Sequence, residues 1–289
     1  MPTAVPAPLA GISKRLRCPV CLQPLAPART SLVCRDGHTH DVARQGYVTL
    51  RTSTGRPATG DDADMVAARA AVQGAGYFER LTGALAETAR TACGSDSPVI
   101  VDLGAGTGHH LAALLGALPH ATGIAIDASR YASGRAARSH PRTAAVRADV
   151  WQQIPLGEGT VDLALSVFAP RNGPELIRVV RPGGAVLVAT PTSEHLHELA
   201  ALHAIRVDPS KLARLRRQLT PALRPTSARR ITWTLELTRD DVEVVLRMGP
   251  SGRHLKPDLA RRLAALPEPV LVTASIELRT FRREGAGRE

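Results

Sequence analysis

The stretch VIVDLGAGTG, residues 99–108, decides the fold of this chain. Its first five residues read as an apolar strand, and the glycine-rich turn after them opens a predicted helix from about His109 to Leu118. A turn of this kind, between a strand and a helix, is where parallel sheets bind nucleotide-like cofactors. The Gly-x-Gly-x-Gly pattern alone leaves NAD, FAD and S-adenosylmethionine open as ligands.

Strands and helices alternate after this turn. Apolar strands are predicted at Gly123–Ile126, Thr143–Arg147, Val161–Val167 and Ala185–Thr190, and helices at Asp64–Ala75, Phe78–Ala92, Ser129–Ser139, Pro174–Val180 and most of 192–220. Continuous apolar strands separated by helices indicate a parallel sheet covered on both faces, which is an α/β fold. Two later segments, Ile231–Leu237 and Val270–Leu278, alternate like strands and are candidates to pair at the sheet edge.

Four potential metal ligands lie near the N-terminus in the spacing Cys-x2-Cys-x12-Cys-x3-His. They are Cys18, Cys21, Cys34 and His38. Three thiolates and one imidazole suit Zn(II) in a closed structural site, since the protein fills all four positions. His40 competes with His38 for the fourth position. Few apolar residues surround these ligands, so a structural metal is expected to hold this segment together.

Carboxylates follow two of the predicted strands. Asp127 ends the strand after the glycine turn, 21 residues beyond Gly106, where a carboxylate can accept hydrogen bonds from both ribose hydroxyls. Asp149 follows the next strand and is placed to accept from an exocyclic adenine amine. Either residue alone would more often be an ordinary surface carboxylate. Their positions after consecutive strands favour a nucleoside-containing cofactor.

The charge of the chain is unevenly distributed. Residues 1–60 carry eight basic and two acidic side chains, residues 61–200 carry eleven and fourteen, and residues 201–289 carry eighteen and ten. Two basic ends around a near-neutral centre suit a polyanionic partner, and nucleic acid is the expected class. No apolar run approaches the length of a membrane span, and cysteines in metal spacing fit a reducing, cytoplasmic compartment.

The order of these motifs resembles the class I S-adenosylmethionine-dependent methyltransferases. Taken whole, the chain is similar to the bacterial 23S rRNA (guanine-N1)-methyltransferases of the RlmA type, above all to the branch that confers resistance to tylosin and related mycinosylated macrolides. Besides the cysteine motif, the resemblance is carried by the segments at 41–48, 64–70, 106–112, 148–151, 168–172, 181–184, 190–191, 195–196 and 248–251.

The resemblance implies a domain organisation. A flexible leader is expected over residues 1–16, a β-rich zinc-binding RNA-recognition module over 17–52, a linker and helix over 53–76, and a Rossmann-like methyltransferase domain over 77–289. One structural zinc ion per chain and S-adenosylmethionine are the implied cofactors.

The resemblance also implies site residues. Contacts with S-adenosylmethionine are expected from Phe78, Asp102, Gly104, Ala105, Gly106, Thr107, Asp127, Asp149 and His195. Relatives have Tyr at the position of Phe78, so a hydroxyl bond to the cofactor is lost here. The pocket for the target base is expected at Phe168, Ala169, Pro170 and Arg171. The sequence does not identify a catalytic base.

The implied activity is methyl transfer to N1 of a guanine in a 23S rRNA hairpin loop of domain II. The partner is then that hairpin, with no membrane, and a homodimer is possible by analogy. Two alternatives stay open: a zinc RNA-binding protein with a catalytically silent methyltransferase domain, and a methyltransferase for small molecules. The basic ends and the zinc ligands disfavour the second, and the intact turn and carboxylates disfavour the first.

Overall fold

The computed structural model describes residues 4–51, 60–200, 202, 223–249 and 257–285. Its strands are β1 Leu25–Ala28, β2 Ser31–Cys34, β3 Thr39–Asp41, β4 Tyr47–Thr49, β5 Val99–Leu103, β6 Thr122–Asp127, β7 Thr143–Arg147, β8 Val161–Val167, β9 Val180–Pro191, β10 Leu223–Leu237 and β11 Val270–Arg283. Its α-helices are α1 Ala7–Ile12, α2 Ala63–Gly74, α3 Glu79–Ala92, α4 His109–Ala117, α5 Arg130–Ala136, α6 Gly173–Val179, α7 Arg239–Arg247 and α8 Leu259–Ala264.

Eight strands form the main sheet, in the order β10-β11-β9-β8-β5-β6-β7-β4. The strands from β9 to β4 run parallel, and β11 and β10 add an antiparallel pair beside β9. Every residue of β5 is buried, as a central strand covered by helices on both faces requires. The α/β prediction is confirmed, and so is the edge pairing of the two alternating segments, which lie in β10 and β11.

The metal-ligand segment folds as a three-stranded antiparallel sheet, in the order β1-β2-β3. It is joined to the main sheet in two places. Directly after it, β4 pairs in parallel with β7, with Tyr47 opposite Ala145. Directly before it, the backbone N–H of Arg17 donates to the carbonyl of Pro155 at 3.0 Å. The predicted boundary at residue 52 thus assigns to the small module a strand that completes the large sheet.

The predicted flexible leader differs from the structure. Residues 7–12 form α1, and Leu9, Ile12 and Leu16 are buried with at most 1% of their surface exposed. They belong to the same apolar cluster as Val101 of β5. Their spacing of three and four residues is that of one helical face, a pattern that the surrounding proline- and alanine-rich composition obscures.

Two other predicted segments fall partly outside the described residues. The helix in the segment 53–76 is confirmed as α2, and its N-cap Asp62 accepts a hydrogen bond from the backbone N–H of Met65 at 2.9 Å. The predicted helical segment 192–220 is described only at residues 192–200 and 202. There the chain forms turns and a short 3-10 helix, His197–Leu199.

The buried face of α1 predicts a stability effect. Leu9→Ala should lower the free energy of unfolding by about 2–5 kcal/mol, because the truncated side chain leaves a cavity in a core that cannot fully collapse. Denaturant unfolding measures this, with Leu271→Ala as the control, since Leu271 is 57% exposed. Equal midpoints for the two variants would contradict the docking of α1.

Candidate cofactor site and metal cluster

The glycine turn after β5 is closely covered by other parts of the chain. Gly104 has a φ of +75°, and a Cβ placed on it would lie 2.5 Å from the Cβ of Ala169. Gly106 has a φ of +55°, and its Cβ would lie 3.3 Å from Nη1 of Arg69. Both positions favour glycine for their positive φ, and Gly104 also requires it for space. Within the turn, the N–H groups of Gly104 and Ala105 donate to the Ile126 carbonyl and that of Gly108 donates to the Ala105 carbonyl, which fixes the shape of the turn.

Asp127, at the end of β6, holds the turn in place. Its Oδ2 accepts a hydrogen bond from the Gly106 N–H and its Oδ1 accepts one from the Ser129 N–H, both at 2.8 Å. Burial raises the pKa of this carboxyl, and the two backbone N–H groups oppose that rise. Each carboxylate oxygen retains a second lone pair, so ribose hydroxyls can still donate to it.

Asp102 and Asp149 lie at the same edge of the sheet as Asp127, because β5, β6 and β7 are neighbouring parallel strands. Asp102 is 2% exposed and its Oδ1 has no hydrogen-bond partner within the described chain. Burial, and secondarily the charge of Asp127, raises its pKa to about 8. A buried acceptor without a partner fits a site that a polar ligand completes. Asp149 is also buried, and its Oδ1 accepts from the Trp151 N–H at 2.9 Å.

Three rings expected near the cofactor or the target base come together in the structure. The ring of Phe78 lies 6.2 Å from that of Phe168 and 6.0 Å from that of His195, and the rings of Phe168 and His195 stack at 5.8 Å. Trp233 joins the group at 6.0 Å from Phe78. These residues come from four separate segments of the chain, so their contact is a property of the fold.

His195 is held as a neutral donor. Its Nδ1 accepts a hydrogen bond from the Ser275 N–H at 3.2 Å, so the neutral ring carries its proton on Nε2. Burial lowers the pKa of His195 to about 4, which keeps the ring uncharged near pH 7. It can therefore donate to a ligand oxygen but is a weak base.

The segment after β8 carries backbone strain. Phe168 has a φ of +53° and is 43% exposed, although its N–H donates to the Ala189 carbonyl at 3.1 Å. A non-glycine residue in this conformation costs about 1–3 kcal/mol and is typical of functional sites.

Arg171 follows Ala169 and the exposed Pro170. Its Nε is buried and has no hydrogen-bond partner in the described chain. Burial lowers the pKa of Arg171 to about 10. Its guanidinium is thus a donor available to an incoming acceptor.

Helix α2 contributes two residues that sequence reasoning missed. Thr107 Oγ1 donates to Gln73 Oε1 at 2.5 Å, and Arg69 pairs with Asp61 while its Nη2 donates to the Met248 carbonyl at 3.0 Å. Both side chains therefore lie against the glycine turn. The only signal was that Arg69 falls in one of the segments that carry the family resemblance.

The four predicted metal ligands form one cluster. The donor atoms of Cys18, Cys21, Cys34 and His38 all lie within 4.8 Å of one another. The Sγ atoms of Cys21 and Cys34 are 3.5 Å apart, close to the ~3.8 Å edge of a tetrahedron with bonds of ~2.3 Å to zinc. His40 Nε2 lies 3.4 Å from Cys18 Sγ but is outside this set of four. The donor set fits a structural zinc ion with His38 as the fourth ligand.

No helix in the described part of the chain is both long and apolar enough to cross a membrane.

Comparison with known proteins matches both parts of the chain. Residues 16–51 match the zinc-ribbon family described as RlmA, N-terminal, and residues 100–184 match a methyltransferase domain. The 23S rRNA (guanine(748)-N1)-methyltransferase of Streptomyces fradiae is 48% identical over 268 residues, 92% of this chain and 95% of its own. A Micromonospora griseorubida protein, also named as a 23S rRNA (guanine-N1)-methyltransferase, is 48% identical over 287 residues. The match covers 92% of this chain and 97% of that protein.

The fold has known counterparts at lower identity. The YcgJ protein of Bacillus subtilis, 14% identical, superimposes with a TM-score of 0.50 over 70% of this chain and 98% of its own. That likeness concerns the architecture of the methyltransferase sheet alone.

The cluster predicts a metal stoichiometry. Cys34→Ser should reduce bound zinc from one ion per chain to nearly none, because three ligands no longer hold the ion firmly. Zinc content by atomic emission spectrometry checks this. Cys93→Ser is the matched control, since Cys93 is a free cysteine outside the cluster. Full zinc occupancy in Cys34→Ser would rule out the assignment.

The raised pKa of Asp102 predicts a pH effect on stability. Between about pH 4 and pH 8 the native carboxyl keeps a proton that the unfolded chain releases, so stability falls as pH rises. Relative to Asp102→Asn, the wild-type free energy of unfolding should decline by about 2–5 kcal/mol over this range. Denaturant titrations of both proteins at several pH values measure it. Parallel profiles would show that Asp102 titrates normally.

Proposed function

The chain belongs to the family of 23S rRNA (guanine-N1)-methyltransferases, and on that premise we propose that it methylates N1 of a guanine in a 23S rRNA hairpin loop. The observation that carries the proposal is the 48% identity with the Streptomyces fradiae enzyme across 92% of this chain. The metal ligands, the glycine turn and the strained segment after β8 are all present in the described chain.

S-adenosylmethionine fits the donor set at the glycine turn. Asp127 would accept from the ribose hydroxyls, Asp149 from the adenine amine, and His195 would donate from Nε2. The unpartnered Oδ1 of Asp102 leaves hydrogen-bonding capacity for a ligand, while the absent Cβ atoms at Gly104 and Gly106 let Ala169 and Arg69 pack against the turn. When bound, the cofactor supplies an activated methyl group. The protein then has to bring the nucleophile into line with it.

The target atom sets the remaining chemical demand. N1 of guanine carries a proton and becomes nucleophilic as that proton leaves, while negative charge develops on O6. Arg171 would stabilise that charge, because it lies on the segment after Phe168 and its buried Nε has no partner in the described chain. His195 is a poor proton acceptor because its pKa is about 4. Phe168 would wall the pocket for a base that has left its stack.

The small module supports an RNA substrate through its charge. Seven basic side chains on or beside it form no ion pair within the described chain: Lys14, Arg15, Arg17, Arg29, Arg35, Arg44 and Arg51. Unpaired cations on one part of a surface attract a phosphate backbone and orient it without reading sequence. This module would therefore position the hairpin, and its zinc ion would be structural.

The finer assignments extend the same proposal. The target is the guanine that corresponds to position 748 in the name of the Streptomyces fradiae relative, and the methyl group confers resistance to mycinosylated macrolides such as tylosin. An enzyme that acts on ribosomal RNA would work in the cytoplasm, which is where we propose this one acts. A homodimer stays a prediction by family analogy. A silent methyltransferase domain is the weaker alternative, because the three carboxylates and the glycine turn are intact.

Incubation of the full chain with a 23S rRNA hairpin and labelled S-adenosylmethionine tests the proposal. Label should appear at N1 of a single loop guanine, mapped by primer extension and mass spectrometry. Asp127→Asn should weaken cofactor binding by roughly 10- to 100-fold, as expected for lost charge-assisted hydrogen bonds. Asp96→Asn, at an exposed carboxylate away from the turn, should behave as wild type. If the protein binds S-adenosylmethionine but no label appears in the rRNA, the proposed activity is wrong.

A further inference from the structure

The two tryptophans of the chain are in opposite environments. Trp233 is buried, and its indole N–H donates to the Tyr77 carbonyl at 3.1 Å. Trp151 is 62% exposed, and its ring contacts no other aromatic or cationic side chain of the described residues. Tryptophan side chains are highly buried on average, so a tryptophan that is mostly exposed is a candidate for contact with a partner.

The exposed ring stands on a firmly held backbone. The Trp151 N–H donates to Asp149 Oδ1 at 2.9 Å, and its carbonyl accepts from Asn172 Nδ2 at 3.1 Å. Asp149 belongs to the expected adenine side of the site, and Asn172 lies four residues after Phe168 on the target side. Trp151 is thus fixed between the two loops that border the reaction centre.

The surface beside Trp151 is a shallow groove between the small module and the loop after β7. Its lining includes Leu22 and Arg51 on the module side and Gln152 and Gln153 on the loop side. Leu22 is 49% exposed, and Arg51 forms no hydrogen bond or ion pair with its side chain in the described chain. An exposed ring on a hydrogen-bonded backbone, beside an unpaired cation and amide side chains, is the composition of single-stranded nucleic-acid platforms.

Resting on the proposed function, we propose that Trp151 is a stacking platform for a nucleobase that flanks the target guanine in the rRNA loop. Removing one loop guanine from its stack leaves neighbouring bases without a partner. An indole face fixed at the edge of the site supplies that partner, and Arg51 neutralises a phosphate next to it. The residue selects an opened loop over a paired stem and adds nothing to binding of the cofactor.

Kinetics on the 23S rRNA hairpin test the inference. Trp151→Ala should lower kcat/KM by about 10- to 100-fold, the usual loss for one base–aromatic stack, while Trp151→Phe keeps most of the rate. The affinity for S-adenosylmethionine should be unchanged in both. Leu271→Ala, another exposed apolar side chain outside these two loops, is the control and should match wild type.

Fluorescence gives a second readout. Hairpin binding should quench the exposed tryptophan of the wild type, and Trp151→Phe should abolish this quenching while buried Trp233 continues to emit. If Trp151→Ala kept the wild-type kcat/KM, the inference would be wrong, and the exposed ring would instead be a contact for a protein partner. If Trp151→Ala lost affinity for S-adenosylmethionine as strongly as it lost kcat/KM, the inference would also be wrong, because the ring would then contact the adenine of the cofactor. Failure of the wild-type chain itself on rRNA would instead refute the proposed function.

Discussion

The pair of hydrogen bonds that Asp127 accepts from Gly106 and Ser129 is the interaction on which the site depends. It joins the turn after β5 to the start of α5, and so ties together the ends of the neighbouring parallel strands β5 and β6. Gly104 can then lie directly beneath Ala169, which brings the segment after β8 over the same turn. One carboxylate therefore ties the glycine turn to the end of β6, next to the segment after β8.

The small zinc module and the methyltransferase sheet share one apolar core. Cys18, Leu32 and Val48 belong to the same buried cluster as Val101 and Ile124 of the central strands. The metal ligands themselves are part of this core, since Cys18 and Cys34 are buried. A change at the metal is consequently transmitted to the sheet by packing, and the orientation of the module toward the reaction centre is fixed.

The sequence predicts features that depend on local pattern. The runs of apolar residues and their alternation with helical segments were enough to predict β5 through β9. They also predicted that Asp127 and Asp149 lie at one edge of the sheet, because residues at the ends of adjacent parallel strands meet there. Contacts between distant segments were not predictable. Arg69 over the turn and the unpartnered Nε of Arg171 follow from tertiary packing, which no spacing in the sequence encodes. The docking of α1 was missed for a different reason, since this short helix buries only Leu9 and Ile12 within a proline- and alanine-rich composition.

The pairing of β4 with β7 has a consequence for solubility. A strand at the edge of a sheet offers a row of free N–H and carbonyl groups, and proteins protect such rows against association with other chains. Here the protection of β7 comes from a three-residue strand, Tyr47–Thr49, that directly follows the metal-bound segment. Loss of zinc would therefore loosen the segment that precedes β4, and an uncovered β7 would expose its free N–H and carbonyl groups to pairing with other chains.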